Sequence, residues 1–270
     1  MNGFVDEPKE TLRPVVDTPA AFQECLDSLS RGHGPVAFDA ERAHGYRYWP
    51  KAYLFQARRA GSGTWLIDPV ALEPDFPDGL GSLVEAIGEE PWVIHAASQD
   101  LPCMRGAGII PTQVFDTELA ARLLGEPAVS LGALVESRLG IRLRKAHSAQ
   151  NWATRPLPES WLNYAALDVD YLLELMQKLD SELQESRRAE WAEQEFAHTL
   201  TKFSAEPQPR PDPWRRLSGI SSLRSPRQLA LARQLWFERD RIAQRRDRPP
   251  SHILQDQAIV ELAATVTANG

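Results

Sequence analysis

Short apolar runs alternate with amphipathic stretches over most of the first 203 residues of the chain. Apolar runs bounded by glycine, proline or polar residues predict short strands at residues 34–41, 52–58, 63–67, 92–95 and 113–117. Apolar residues at helical spacing predict helices at residues 18–26, 80–87, 98 onward, 117–123, 131–139 and 159–203. The first three strands are close in sequence, whereas the later strands alternate with helices. We therefore predict an α/β domain with a mixed sheet flanked by helices.

A proline-rich segment separates this domain from a second one. Four prolines lie between residues 204 and 213, which predicts an extended linker. Beyond the linker, Ser225 and Pro226 predict a helix start, and Leu229 and Leu235 lie on one apolar stripe of a basic helix. The predicted segments are a domain at 1–203 with its core at about 15–200, a linker at 204–213, and a small all-α domain at 214–270.

The composition and charge of the chain indicate which broad class of protein it belongs to. A hydrophobic fraction of 43% and a charged fraction of 25% are those of an ordinary globular protein. The acidic N-terminus, the lack of an apolar run of membrane-spanning length and two isolated cysteines predict a cytoplasmic protein without a membrane partner. Residues 206–270 hold 11 basic and seven acidic side chains, a net charge of +4, whereas residues 1–205 carry −11. Such an acidic domain needs bound metal ions to supply positive charge if it acts on nucleic acid.

Acidic residues lie at the ends of two predicted strands. Asp39 and Glu41 are two residues apart, so they point to the same face of a strand and repel each other unless a cation lies between them. Asp100 follows the strand at 92–95, near the start of a helix for which Ser98 is the predicted cap. Open α/β sheets place their sites at such strand ends.

A tyrosine and an aspartate form a third candidate position. Tyr164 and Asp168 are four residues apart and therefore share one helix face. Taken singly, each of these positions has a more common explanation. Two acids are often a solvated strand end, an acid near a helix start is often a partner of the helix dipole, and a tyrosine–aspartate pair is often a surface hydrogen bond.

Three motifs in order connect these residues. They are Phe38-Asp39-Ala40-Glu41 with Tyr48-Trp49-Pro50 after it, His95-Ala96-Ala97-Ser98-Gln99-Asp100-Leu101 with Phe115-Asp116-Thr117 after it, and Trp152-Ala153-Thr154-Arg155-Pro156-Leu157 with Tyr164-Ala165-Ala166-Leu167-Asp168-Val169 after it. Over about residues 15–200 the motifs resemble ribonuclease D and the wider DEDD superfamily of 3′-to-5′ exonucleases, and the tyrosine marks the DEDDy subgroup. The resemblance implies a ribonuclease H-like mixed sheet flanked by helices. Residues from about 212 onward resemble the first part of an HRDC domain, a small helical nucleic-acid-binding module.

The resemblance implies a role for each acid. Asp39, Glu41, Asp100 and Asp168 would hold two divalent ions, Mg²⁺ or Mn²⁺, and Tyr164 would orient the attacking water. Asp39 would lie between the two ions, and Glu41 would bind the ion that activates the water. Hard divalent cations prefer oxygen ligands, which agrees with a site made of carboxylates.

Two further polar residues near these motifs have structural explanations. We predict that His95 is a buried, hydrogen-bonded residue, since four acids already satisfy two hard cations. We predict that Asp116 caps a helix or supports the ligands rather than binding metal itself.

Four side chains are candidates for contact with a substrate. Tyr48 and Trp49 are suited to stack on a 3′-terminal base. Lys145 and Arg155 flank a polar loop in the densest basic patch of the acidic domain, so we predict that they contact substrate phosphates, with a solvated basic face as the alternative. Asn151 stands where related enzymes commonly carry an acid, which leaves substrate positioning at this loop open.

The sequence thus predicts a metal-dependent 3′-to-5′ exoribonuclease that releases nucleoside 5′-monophosphates and trims structured RNA such as tRNA precursors. A DNA exonuclease with the same site is the first alternative, because nothing in the motifs recognises a 2′-hydroxyl. A catalytically inactive RNA-binding or scaffold protein is the second, although all four carboxylates are present. The sequence leaves the oligomeric state open.

Overall fold

A computed structural model describes residues 3–43, 45–144, 150–206 and 210–265 of the chain. Within these residues the chain forms two compact units. The first unit comprises the described parts of Met1–Ala43 and Lys51–Glu206, and the second comprises those of His44–Pro50 and Pro207–Gly270. A short segment that the sequence analysis placed in the first domain therefore groups with the second unit.

The first unit is built on one mixed sheet. Its strands are β1 (His33–Arg42), β2 (Ala52–Ala60), β3 (Gly63–Ile67), β4 (Trp92–Ile94) and β5 (Val114–Asp116). The spatial order is β3-β2-β1-β4-β5. β2 pairs antiparallel with both β1 and β3, whereas β4 pairs parallel with both β1 and β5. This arrangement confirms the predicted mixed sheet and places β1, the strand that ends in acidic residues, at its centre.

Nine helices are described in the first unit. They are α1 (Pro19–Arg31), α2 (Pro69–Leu72), α3 (Ser82–Ile87), α4 (Leu101–Gly106), α5 (Thr117–Leu124), α6 (Leu131–Leu139), α7 (Glu159–Asp170), α8 (Leu172–Glu185) and α9 (Ala189–Ser204). As predicted, Thr18 caps the first helix, where its side chain accepts a hydrogen bond from the Ala21 N–H. In the part of the chain that the structure describes, no helix has the length and apolar character needed to cross a membrane.

The two faces of the sheet carry different side chains, because successive residues of a strand point to opposite faces. On one face Phe38 and Phe55 join the large core beneath α1, α3 and α4. The opposite face of β1 carries Ala37, Asp39 and Glu41, and α7 packs over β1, β2 and β3. The acids of β1 thus lie on the face that α7 covers, which is what brings a helix-borne carboxylate to the strand end.

The second unit is a small helical assembly. Its helices are α10 (Pro226–Arg246), α11 (Pro250–Ile253) and α12 (Asp256–Ala264), preceded by 3₁₀ turns at Pro213–Arg216 and Ile220–Ser222. Ser225 begins α10 in a capping box with Gln228. Ala232 of α10 packs with Ile259 and Ala263 of α12 in the core of the unit. The fold class, an α/β domain followed by a small all-α unit, is as predicted.

Candidate active site

Three carboxylates meet on the face of β1 that α7 covers. Asp39 and Glu41 arrive from the end of β1, and Asp168 arrives from the last turn of α7. One ligand oxygen of each residue lies within 4.8 Å of the others. The geometry therefore brings together three of the four acids that the motifs single out, and it does so with carboxylate oxygens, the donors that hard divalent cations prefer.

The fourth acid, Asp100, follows β4 and reaches the same region from the other side of β1. The predicted cap at Ser98 is wrong: residues Ala97–Gln99 form a 3₁₀ turn, and α4 begins at Leu101 with Asp100 as its N-cap residue. The Asp100 side chain makes no capping hydrogen bond. It is 3% exposed, and its Oδ1 lies 3.4 Å from Nη2 of Arg42.

Arg42 is a site residue that the sequence analysis missed. Its Nη1 donates to the carbonyl oxygen of Gln99, and its Nη2 lies 3.4 Å from the Gln99 side-chain oxygen and 3.4 Å from Asp100. The pairing register of β1 with β2 is irregular between Glu41 and Arg42, and such irregularities re-aim side chains next to sites. Arg42 therefore ties the turn that carries Asp100 to the end of β1. The sequence contained one signal for this role, because Arg42 directly follows the Asp39-Ala40-Glu41 strand end.

Burial and mutual repulsion dominate the electrostatics of this cluster. Burial raises the pKa of Asp39 to about 6, against the opposing effect of Arg42. Burial first, and the charges of neighbouring acids second, raise the pKa values of Glu41, Asp100 and Asp168 well above their ordinary range. Since a bound cation would remove both penalties, the acidic cluster is suited to hold divalent metal ions.

Tyr164 lies one turn before Asp168 on α7 and is hydrogen-bonded to its carboxylate. Burial, followed by the charges of Asp168, Glu41 and Asp39, raises the pKa of the Tyr164 phenol far above neutrality. The hydroxyl therefore stays protonated at neutral pH and donates to Asp168.

Asp116 holds the turn from which Asp100 extends. Its carboxylate caps α5 by accepting hydrogen bonds from the Glu118 and Leu119 N–H groups. The same carboxylate accepts from the N–H groups of Ala96 and Ala97 at 3.0 and 2.9 Å. Ala96 has a φ of 59°, a left-handed conformation that is unfavourable for alanine and needs such support. The predicted capping role is confirmed.

His95 is the structural residue that the sequence predicted. Its Nδ1 lies 2.9 Å from the Thr117 hydroxyl oxygen, and burial lowers the pKa of His95 to about 4. A neutral, hydrogen-bonded imidazole fits a supporting position better than a base.

Arg155 is fully engaged within the first unit. Its guanidinium donates to both carboxylate oxygens of buried Asp68, at 2.6 and 2.8 Å. It also donates to the carbonyl oxygens of Trp152, Thr154 and Tyr53, each at 2.8 Å. All five guanidinium N–H groups therefore have partners, which leaves none for the predicted contact with a substrate phosphate. Lys145, the other residue of that prediction, lies outside the described residues.

Tyr48 and Trp49 belong to the second unit. The Tyr48 hydroxyl donates to Asp240 of α10 at 2.9 Å and accepts from the Gln244 side chain at 3.0 Å. The N–H groups of Tyr48 and Trp49 donate to Asp247 at 3.0 and 3.3 Å. The Trp49 side chain is 54% exposed, so its ring is accessible for stacking.

The raised carboxyl pKa values predict how stability depends on pH. A folded acid with a raised pKa binds more protons than the unfolded chain, so the stability that protonation contributes is present at low pH and is lost as pH rises through the folded pKa. Four such acids outweigh His95, whose lowered pKa acts in the opposite direction. In EDTA, the melting temperature should fall from pH 5 to pH 8, and Mn²⁺ should restore it at pH 8. Differential scanning fluorimetry tests this, and a melting temperature that rises with pH in EDTA would contradict it.

Comparison with known proteins identifies relatives of both units. A family model described as 3′-5′ exonuclease matches residues 14–184, and a model of the HRDC domain matches residues 228–269. Ribonuclease D of Pseudomonas paraeruginosa is 33% identical over 98% of this chain and 68% of its own length. Ribonuclease D of Bartonella henselae is 30% identical over 84% of this chain and 55% of its own length.

Solved structures agree with these relatives. A protein from Bifidobacterium adolescentis superposes with a TM-score of 0.93 and is 40% identical, over 98% of this chain and 64% of that one. Escherichia coli RNase D, described as an exoribonuclease involved in structured RNA processing, has a TM-score of 0.72 and 27% identity, over 94% of this chain and 66% of its own. The chain thus spans roughly half to two thirds of the length of the curated relatives named above.

Proposed function

Because the chain belongs to the ribonuclease D family of 3′-to-5′ exonucleases, we propose that it hydrolyses RNA from the 3′ end and releases nucleoside 5′-monophosphates. The observation that carries this proposal is the meeting of Asp39, Glu41 and Asp168, with ligand oxygens within 4.8 Å of one another. Family membership implies dependence on divalent metal ions. We propose that two ions, Mg²⁺ or Mn²⁺, are held by these three acids and Asp100.

The donor set fits such ions. It consists of carboxylate oxygens, of which those of Glu41 and Asp100 are buried and those of Asp39 and Asp168 are partly buried. The negative charges repel one another, and among the described cations Arg42 is the one that offsets the charge of Asp39. When bound, the ions lower the pKa of a water and stabilise the leaving 3′ oxygen. The charge of Asp39 raises the pKa values of all three other acids, so Asp39 is close to each of them. Asp39 is therefore suited to bind both ions, and Glu41 to bind the one nearest the attacking water.

Tyr164 has the role of orienting that water. Its hydroxyl proton is directed at Asp168, so its oxygen can accept a hydrogen bond from a water beside the cluster. The raised pKa of Tyr164 excludes the phenolate as a base at neutral pH, so the tyrosine positions the water rather than deprotonating it.

Tyr164→Phe should therefore lower kcat by about 10²-fold, the usual contribution of one positioned group at a reacting centre. Calorimetric Mn²⁺ affinity should stay within a few-fold of wild type, because the hydroxyl is not a metal ligand. Steady-state kinetics on a 3′-labelled RNA and calorimetry measure the two quantities. A variant that loses Mn²⁺ binding along with activity would show that Tyr164 supports the metal site instead.

The substrate class is proposed from the family and from the accessible groups of the site. The curated relatives are ribonucleases, and the Escherichia coli relative is described as acting in structured RNA processing, so we propose that structured RNA, including tRNA precursors, is the substrate. Trp49 remains a candidate for stacking on a base because it is exposed. We also propose Tyr48 and Lys145 as substrate contacts, with Arg155 as a residue that shapes the site rather than touching RNA.

Matched strands test the substrate class directly. RNA and DNA of identical sequence, each labelled at the 5′ end, are incubated with the protein and Mn²⁺, with an EDTA control. The proposal expects a ladder that shortens from the 3′ end of RNA and at least about tenfold slower loss of DNA. Equal or faster degradation of DNA would favour a DNA exonuclease. Binding of RNA without cleavage or Mn²⁺ binding would favour an inactive binding protein.

A further inference from the structure

A buried amide lies in the middle of β2, in an otherwise apolar part of the strand. Gln56 is fully buried, and both its side-chain oxygen and its side-chain nitrogen lack a hydrogen-bond partner among the described residues. Leu54, two residues before it on the same face, and Leu66, directly opposite on β3, are core residues, so an apolar side chain would serve the packing better. An amide buried without partners lowers stability unless ligand binding brings a partner to it.

The strand pairing identifies the candidate hydrogen-bond partner of Gln56. Gln56 is directly opposite Asp39 in the antiparallel pairing of β1 with β2. Directly opposite residues point to the same face of a sheet and have Cβ atoms about 5 Å apart, which a glutamine side chain spans easily. The face is the one over which α7 packs, with Asp168 in its last turn. The amide is therefore part of the floor of the acidic cluster.

Gln56 offers this cluster a donor that the acids lack. The residues directly opposite it on the neighbouring strands are Asp39 on β1 and Leu66 on β3, and of these two side chains only Asp39 can accept a hydrogen bond. Full burial keeps Gln56 from touching RNA. Carboxylates that bind metal are themselves usually fixed by hydrogen bonds from neighbouring groups, which set the orientation of the ligand oxygens.

We propose that Gln56 is a positioning residue for the metal site: with metal bound, its Nε2 would donate a hydrogen bond to a carboxylate oxygen of Asp39. This hydrogen bond would hold the Asp39 carboxylate in place as a metal ligand. The inference rests on the proposed function, since it assigns Asp39 to metal binding. It adds a residue outside the four acids and the tyrosine.

The test compares two substitutions of similar volume on the same face. Gln56→Met keeps the shape of the side chain and removes its donor, whereas Leu66→Met, on the neighbouring strand, changes packing alone. Gln56→Met should weaken Mn²⁺ binding by about 10–100-fold in calorimetry and broaden the Mn²⁺ EPR spectrum, in keeping with the loss of a ligand's supporting hydrogen bond. Its melting temperature in EDTA should equal or exceed that of wild type, because an unpaired amide has been removed. Leu66→Met should bind Mn²⁺ like wild type.

Wild-type Mn²⁺ affinity in Gln56→Met would overturn the inference and leave the proposed function intact. Equal weakening in Gln56→Met and Leu66→Met would also overturn it, because packing would then be the cause. Gln56→Leu serves as the second donor-free variant should Gln56→Met fail to fold, with the same expected loss of affinity. Absence of Mn²⁺ binding in the wild-type protein would refute the metal site itself, which separates failure of the proposed function from failure of this inference.

Discussion

Asp39→Asn should lower the rate of RNA hydrolysis by about 10³-fold or more, which corresponds to about 4 kcal/mol of transition-state stabilisation. The effect is large because the charge of Asp39 acts on all three other acids, and its ligand oxygen lies within 4.8 Å of those of Glu41 and Asp168. Asparagine keeps the size of the side chain but removes a charge that a divalent ion requires. The measurements are kcat/KM on a 3′-labelled RNA and Mn²⁺ affinity by calorimetry.

The same substitution should stabilise the metal-free protein, and this sign distinguishes it from a folding defect. Asp39 is partly buried, and its charge raises the pKa values of Glu41, Asp100 and Asp168, so removing that charge relieves repulsion. The melting temperature of Asp39→Asn in EDTA should therefore be higher than that of wild type. Asp75→Asn removes an exposed charge 36 residues away in sequence and should change neither the rate of RNA hydrolysis nor the melting temperature. Activity of Asp39→Asn within tenfold of wild type would contradict the assignment.

Arg155→Met should lower the free energy of unfolding by about 3 kcal/mol, the lower end of the range for breaking a buried ion pair from one side. We expect the lower end of that range because the ion pair is only partly buried: the Arg155 side chain is 33% exposed, although that of Asp68 is only 7% exposed. Without the arginine, Asp68 keeps its N-cap bonds to the Val70 and Ala71 N–H groups but loses both guanidinium donors. The carbonyl oxygens of Trp152 and Tyr53 lose their donors as well. Urea denaturation at constant m-value measures the change.

Arg142→Met is the matched control for this prediction. Arg142 pairs with Glu136 at 2.7 Å, but both side chains are about half exposed, so its loss should cost less than about 1 kcal/mol. An unchanged unfolding free energy in Arg155→Met, together with a raised KM for RNA, would contradict the structural role. That result would return Arg155 to the phosphate contact that its place in the third motif first indicated.

The strand pattern and the motifs were enough to place the acids. Period-two alternation put Asp39 and Glu41 on one face, and the strand before Asp100 put that residue at a carboxyl end of the sheet. Both placements follow from local geometry, which a short stretch of sequence carries. The spacing of Tyr164 and Asp168 likewise determined that they share a helix face, and the structure shows that this face is the one turned toward β1.

The supporting residues could not be predicted in the same way because their partners are distant in sequence. Gln56 is next to Asp39 only through the register of β1 with β2. Arg155 is 87 residues from Asp68, whose carboxylate occupies its guanidinium. Tyr48 follows β1 closely, yet its hydroxyl bonds to Asp240, 192 residues away. Each side chain has a type that favours substrate contact in isolation, and only tertiary pairing shows what it binds.

One measurement tests the central claim, metal-dependent hydrolysis at the 3′ end, most directly. The protein digests an RNA with a free 3′-hydroxyl in the presence of Mn²⁺ and water enriched in heavy oxygen, and mass spectrometry identifies the products. A reaction with EDTA and a reaction with Asp39→Asn serve as controls. The account predicts nucleoside 5′-monophosphates that carry heavy oxygen in the phosphate, no product in EDTA, and release slowed by about 10³-fold or more with the variant. Cyclic phosphates or 3′-phosphates, or release that persists in EDTA, would contradict it.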